Sequence, residues 1–262
     1  MRSLVFALFC FLTLPATAQV PMRDKVVLST TNTVMLRGVV DEASVQKAQL
    51  ELVRAVVARG KATTPIYLVL DSPGGSIVDG QAFIEFAKTV PNLRTVSIFS
   101  ASMASAIVEA LPGERLITNN GMLMFHRASG GFQGQFEDGE VERRLGMAKR
   151  LVLHMENINA RRMQMKLEIY KGLVKDELWL DAEQSIAYRA ADRIVDIYCT
   201  KDLIDAKERV ELQFFFFKAT LVFSKCPLMR APEDDKKSIY QAPSFSNYDA
   251  IVRKLNLLSI KP

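Results

Sequence analysis

Apolar positions along this chain fall into two alternating periods. Thr33-Val34-Met35-Leu36-Arg37-Gly38 alternates as a strand, and Val45, Ala48, Leu52 and Val56 then recur at helical spacing. Asp41 or Ser44 caps that helix and Gly60 ends it. Ile66-Tyr67-Leu68-Val69-Leu70 is apolar throughout, as a strand covered on both faces must be. It breaks at Asp71-Ser72-Pro73-Gly74-Gly75-Ser76, and a helix follows through Phe83, Ile84 and Ala87. Residues 94–99 read as a strand, 101–111 as a helix, and 115–118 and 122–125 as two short strands. A long polar helix over 136–170 carries Leu145, Ala148, Leu151, Val152, Met155 and Ile158 as its stripe, with Gly172 as its stop. Asp181 caps a helix over 182–190, and 193–199 returns as a strand. This alternation predicts an α/β fold with a parallel sheet joined by right-handed crossovers.

Both ends depart from that pattern. Residues 1–18 combine Arg2, an apolar run over 4–14 and Ala16-Thr17-Ala18, the layout of a cleaved secretory signal. The run is shorter than the ~20 residues a membrane span needs. Residues 19–32 read as a tail with little structure. After residue 199, Phe214-Phe215-Phe216-Phe217 opens an apolar run to Phe223 that reads as a buried strand, and 231–237 reads as an exposed turn.

Hydrophobic content of 49% with 24% charged residues fits a folded domain and excludes a disordered chain. The formal charge of +5 falls to +4 without Arg2, and no Lys/Arg run with interleaved aromatics points to nucleic acid. Cys199 and Cys226 are available to pair in an oxidising compartment or to remain buried thiols. Two separated histidines give no zinc spacing, and no cofactor is called for.

The chemistry centres on Ser102, where a strand hands over to a helix, and His126, at the end of a strand. A hydroxyl at a helix mouth has unpaired backbone N–H groups beside it. An imidazole in reach would serve as its general base. The amides of Gly74, in the turn after the apolar strand, and Met103 are candidates to face one oxygen as an oxyanion hole. Asp176 and Glu177 are both candidates for the acid that fixes the histidine tautomer, and local sequence does not choose between them. His154 reads as a residue on a solvated helix face.

Together these segments resemble the proteolytic subunit of the Clp protease, in the superfamily that includes crotonases and signal peptide peptidase A. Residues 66–75 are similar to the family's apolar strand with its Ser-Pro-Gly-Gly turn, and Ala101-Ser102-Met103-Ala104 to its nucleophile motif. Met124-Phe125-His126-Arg127 with Gly130-Gly131-Phe132-Gln133-Gly134-Gln135 resembles the histidine motif and the substrate strand. Leu180-Asp181-Ala182-Glu183 resembles the segment after the acid. The resemblance covers residues 33–198.

It implies a crotonase-like spiral of ββα units over 33–199, with 200–262 as an added C-terminal segment, and a homo-oligomer. Ser102 becomes the nucleophile, His126 the base, and Gly74 and Met103 the oxyanion donors. The family's acid, an Asp, falls on Glu177, with Asp176 where many members have Arg. Gly75, Gly130, Gly131, Phe132 and Gln133 would contact a peptide or unfolded protein substrate, added as a strand. Export to the periplasm or medium implies a peptidase with no ATPase partner. The alternatives are a serine–lysine peptidase using Lys149 or Lys166, an acyl-CoA enzyme, and an inactive scaffold.

Overall fold

The apolar run at 66–70 is central to the fold because its side chains alternate between two cores. Leu68 and Leu70 face one cluster and Val69 the opposite one, all fully buried. A computed structural model describes residues 23–128, 137–213, 218–229 and 231–232. The candidate signal segment 1–18, Gly130 to Gln133 and Phe214 to Phe217 lie outside the described residues.

The first half of the chain runs β1 (Asp24–Leu28), β2 (Thr33–Val40), α1 (Glu42–Arg59), β3 (Ile66–Gly75), α2 (Ile77–Ala87), β4 (Leu93–Ala101), α3 (Met103–Ala110) and β5 (Arg115–Phe125). There follow α4 (Glu140–Arg162), α5 (Leu167–Leu173), β6 (Leu178–Leu180), α6 (Ala182–Ala187), β7 (Arg193–Cys199) and α7 (Lys201–Asp205). A ribbon of β8 (Lys207–Gln213) and β9 (Lys218–Ser224) comes last. The main sheet has the order β1-β7-β5-β4-β3-β2, all parallel, and β6 pairs antiparallel with the far end of β5. The fold is thus α/β with a mostly parallel sheet.

Helices α1, α2 and α3 cover one face, with Leu52, Phe83 and Ile107 against Val34, Leu36, Leu68 and Leu70. A separate cluster under α4, α5 and α6 packs Phe125, Ala160, Met163, Tyr170 and Leu180. On the other face Val69, Val96, Leu116 and Val195 meet Leu203 of α7 and Cys226. Cys199 and Cys226 are joined by a disulfide, which fixes the end of the ribbon to the end of β7. A closed loop of this length stabilises a fold by about 3–4 kcal/mol in the chain-entropy account. Ion pairs Lys47–Glu208 and Lys225–Glu51 hold the ribbon over α1.

Several local expectations are corrected. Residues 24–28, read as part of a tail, form an edge strand with Val26 and Leu28 buried, because β7 supplies a partner that local sequence cannot show. β3 does not stop at Asp71 but continues through Pro73 to Gly75, paired with β2. β5 is one strand, and the long polar helix is two, α4 and α5, broken at 163–166. The end of the phenylalanine-led run is not a core strand. β9 pairs with β8 among the described residues, and Thr220 to Phe223 range from exposed to half-buried.

Candidate active site

β4 ends and α3 begins at Ser102, which has φ 56° and ψ −119°, a conformation that residues with a side chain rarely adopt. The surroundings impose it. Ser102 N–H donates to Met124 O at 2.9 Å, tying the turn to β5. The fully buried Ser105 donates from Oγ to Ser100 O at 2.6 Å and accepts from Met124 N–H at 3.3 Å, so it binds α3 to both strands. Ser105 went unnoticed in the sequence, where it is one small residue among several.

His126 follows the last residue of β5, and its Nε2 lies 2.6 Å from Ser102 Oγ. Acceptance of the serine proton at Nε2 puts the ring's own proton on Nδ1. Neither Lys149 nor Lys166 hydrogen-bonds Ser102.

The two candidate acids are not joined to this pair. Glu177, at φ 67°, stands one step beyond the Phe125–Leu178 pair of the β5–β6 ladder, and so beside His126 in register. Its carboxylate accepts from Trp179 Nε1 at 3.0 Å instead. Asp176 ends the 3₁₀ turn before it. Among the described residues neither carboxylate makes a hydrogen bond or ion pair with His126.

Gly74 sits against the nucleophile turn. A Cβ on it would lie 2.5 Å from Ala101 O and 2.7 Å from Met103 N, so only glycine permits this approach. Its amide was expected to face an oxyanion, but it donates to Ser72 Oγ at 3.0 Å. Ser72 is itself fully buried, which leaves its oxygen no solvent partner and makes the local bond favourable. Met103 N–H opens α3, where a first-turn amide has no intrahelical acceptor. Gly75 pairs with Val40, and a Cβ there would lie 2.3 Å from Val40 O.

A pocket of about 60 Å³ opens beside Ser102 and His126, with walls from Met103, Ala106, Phe125 and Met155. The polar side chains of Glu156, Asn159 and Tyr170 line it as well. Asn159 Nδ2 donates to Tyr170 Oη at 2.8 Å, and burial pushes the Tyr170 hydroxyl well above its usual range. Among the described residues no group of three or more His, Cys, Asp or Glu is placed to hold a metal ion. No helix among them is long and apolar enough to cross a membrane.

A Clp protease family model matches residues 22–197, most of the chain and all of the main sheet but the last two residues of β7. The chain belongs to the Clp protease family. It is 31% identical over 169 residues to the ATP-dependent Clp protease proteolytic subunit 1 of Streptomyces avermitilis, over 62% of this chain and 75% of that protein. Homology to this family supports a serine peptidase. The α7–β9 segment begins where the family match ends.

Proposed function

We propose that this protein is an exported serine peptidase that hydrolyses peptides or unfolded polypeptide through an acyl-enzyme, without an ATP-driven partner. The observation that carries the reading is the 2.6 Å approach of Ser102 Oγ to His126 Nε2 at a strained strand-to-helix turn. His126 takes the serine proton as Oγ attacks the scissile carbonyl, then returns it to the leaving amine. Water, activated by the same imidazole, hydrolyses the ester. The oxyanion is received by Met103 N–H and by the Gly74 amide, which exchanges Ser72 Oγ for the developing charge.

Glu177 is the better supported acid, because strand register puts it next to His126 while Asp176 lies back in the preceding turn. In this role its carboxylate leaves Trp179 for Nδ1–H. Export is supported by the charged-apolar-small order of residues 1–18 and by the bonded Cys199–Cys226 pair. Assembly into a homo-oligomer follows the family.

The test is hydrolysis of a fluorogenic peptide series by the purified chain without nucleotide, together with fluorophosphonate labelling of Ser102. Turnover that is lost in both Ser102→Ala and His126→Ala is the expected result. An intact Ser102 that never labels overturns the hydrolase and favours a scaffold, the reading to which the engaged Gly74 amide and the turned Glu177 lend weight.

A further inference from the structure

Within the peptidase reading just given, we infer that the pocket beside Ser102 selects a residue with an unbranched apolar stem and a terminal nitrogen donor, lysine ahead of glutamine. That residue contributes the carbonyl attacked by Ser102. Ser102, Met103 and His126 line this pocket, so the side chain next to the attacked carbonyl is the one nearest to it.

Val152, Met155, Glu156 and Asn159 recur at three- and four-residue spacing on α4 and present one face to this pocket. The upper part of that face is apolar and suits methylenes. Asn159 differs. It is 5% exposed, and its Oδ1 has no hydrogen-bond partner among the described residues, while its Nδ2 is taken by Tyr170. A buried acceptor left in this state is costly, and a wholly apolar side chain in the pocket leaves it unpartnered. A terminal N–H donor satisfies it.

Glu156, three residues before Asn159 on the same helix, adds negative charge to this wall, with its side chain 17% exposed. Its partner Lys171, 3.4 Å away, is 41% exposed, so solvent weakens its hold on the carboxylate. This favours a cation over a neutral amide.

The experiment uses otherwise identical fluorogenic peptides with lysine, glutamine or norleucine before the cleaved bond. Lysine and glutamine are expected to exceed norleucine about tenfold in kcat/KM. Asn159→Leu should reverse that order, and Glu156→Gln should bring the lysine-to-glutamine ratio to about one. Glu156 is the more exposed site, so its variant remains informative if Asn159→Leu does not fold. Norleucine equal to or better than both polar residues in the wild type, or an unchanged ratio in a folded Asn159→Leu protein, overturns the inference.

Calorimetric binding of the same peptides to Ser102→Ala separates this result from the hydrolase question. A chain that hydrolyses nothing but binds the lysine peptide above the norleucine one upholds the pocket and sinks the peptidase. Hydrolysis led by norleucine does the reverse.

Discussion

The two ends of α3 are built in opposite ways. Its first turn starts from Ser102 in a rare backbone conformation, half-exposed and hydrogen-bonded to a histidine. At its last turn the Glu109 side chain is fully buried, 2.6 Å from Arg115, which also bonds Asp192 at 2.6 Å. One end stores strain beside a pocket, and the other is fixed by the Arg115 guanidinium, which α3, β5 and the turn before β7 share as a hydrogen-bond donor. A helix of eight residues can hold a strained nucleophile because its opposite end cannot shift to relieve it.

Breaking the first end should have the largest effect. Ser102→Ala is expected to lower kcat/KM by a factor on the order of 10⁴ or more, with thermal stability nearly unchanged, as read by peptide hydrolysis and denaturant unfolding. An equal loss of stability would mean that the turn is structural first. Breaking the other end should do the converse. Arg115→Ala leaves the buried Glu109 carboxyl and Asp192 without their shared hydrogen-bond donor and is expected to cost about 2–3 kcal/mol of unfolding free energy at neutral pH.

The pH dependence sharpens the contrast. Burial pushes Glu109 from the ordinary 4.5 up to about 8, against the pull of Arg115. The folded protein therefore keeps this proton where the unfolded chain releases it. The group's contribution is full below about pH 4.5 and is lost as pH rises toward about 8. Glu109→Gln, neutral throughout, is expected to flatten that slope in a denaturation series. Asp192 has the opposite sign. Burial works against its charge, but hydrogen bonds from Arg115 hold it below the ordinary 3.8, so its contribution is lost only on strong acidification. The smallest effect concerns strain itself. Ser102→Gly should raise stability by about 1 kcal/mol, since glycine accepts this conformation freely, and no gain would mean the turn is not strained.

The parts of this arrangement legible in the sequence are the local ones. Helix periodicity placed α1 and its Asp41 cap, an unbroken apolar run placed β3, and small residues after a strand placed the start of α3. Ser102 and His126 stood out because each sits where an element ends. What escaped depends on partners far along the chain. Asp24 to Leu28 become a strand only beside β7. The amide of Gly74 is taken by a hydroxyl two residues back, a choice made by burial and not by motif. Glu177 stands beside His126 through strand register, yet its carboxylate goes to an indole that sequence gives no reason to prefer. The Asn159–Tyr170 pair joins two helices that the sequence read as one.

The position of β1 has a consequence for how the molecule comes to be made. Its hydrogen-bonding partner is about 170 residues downstream, so a chain synthesised from its N-terminus holds an unsatisfied strand until nearly the whole domain has emerged. Pairing of β1 with β7 is then a late step in folding. Shortened products that end before β7 would offer that bare strand to one another, which makes them candidates for aggregation.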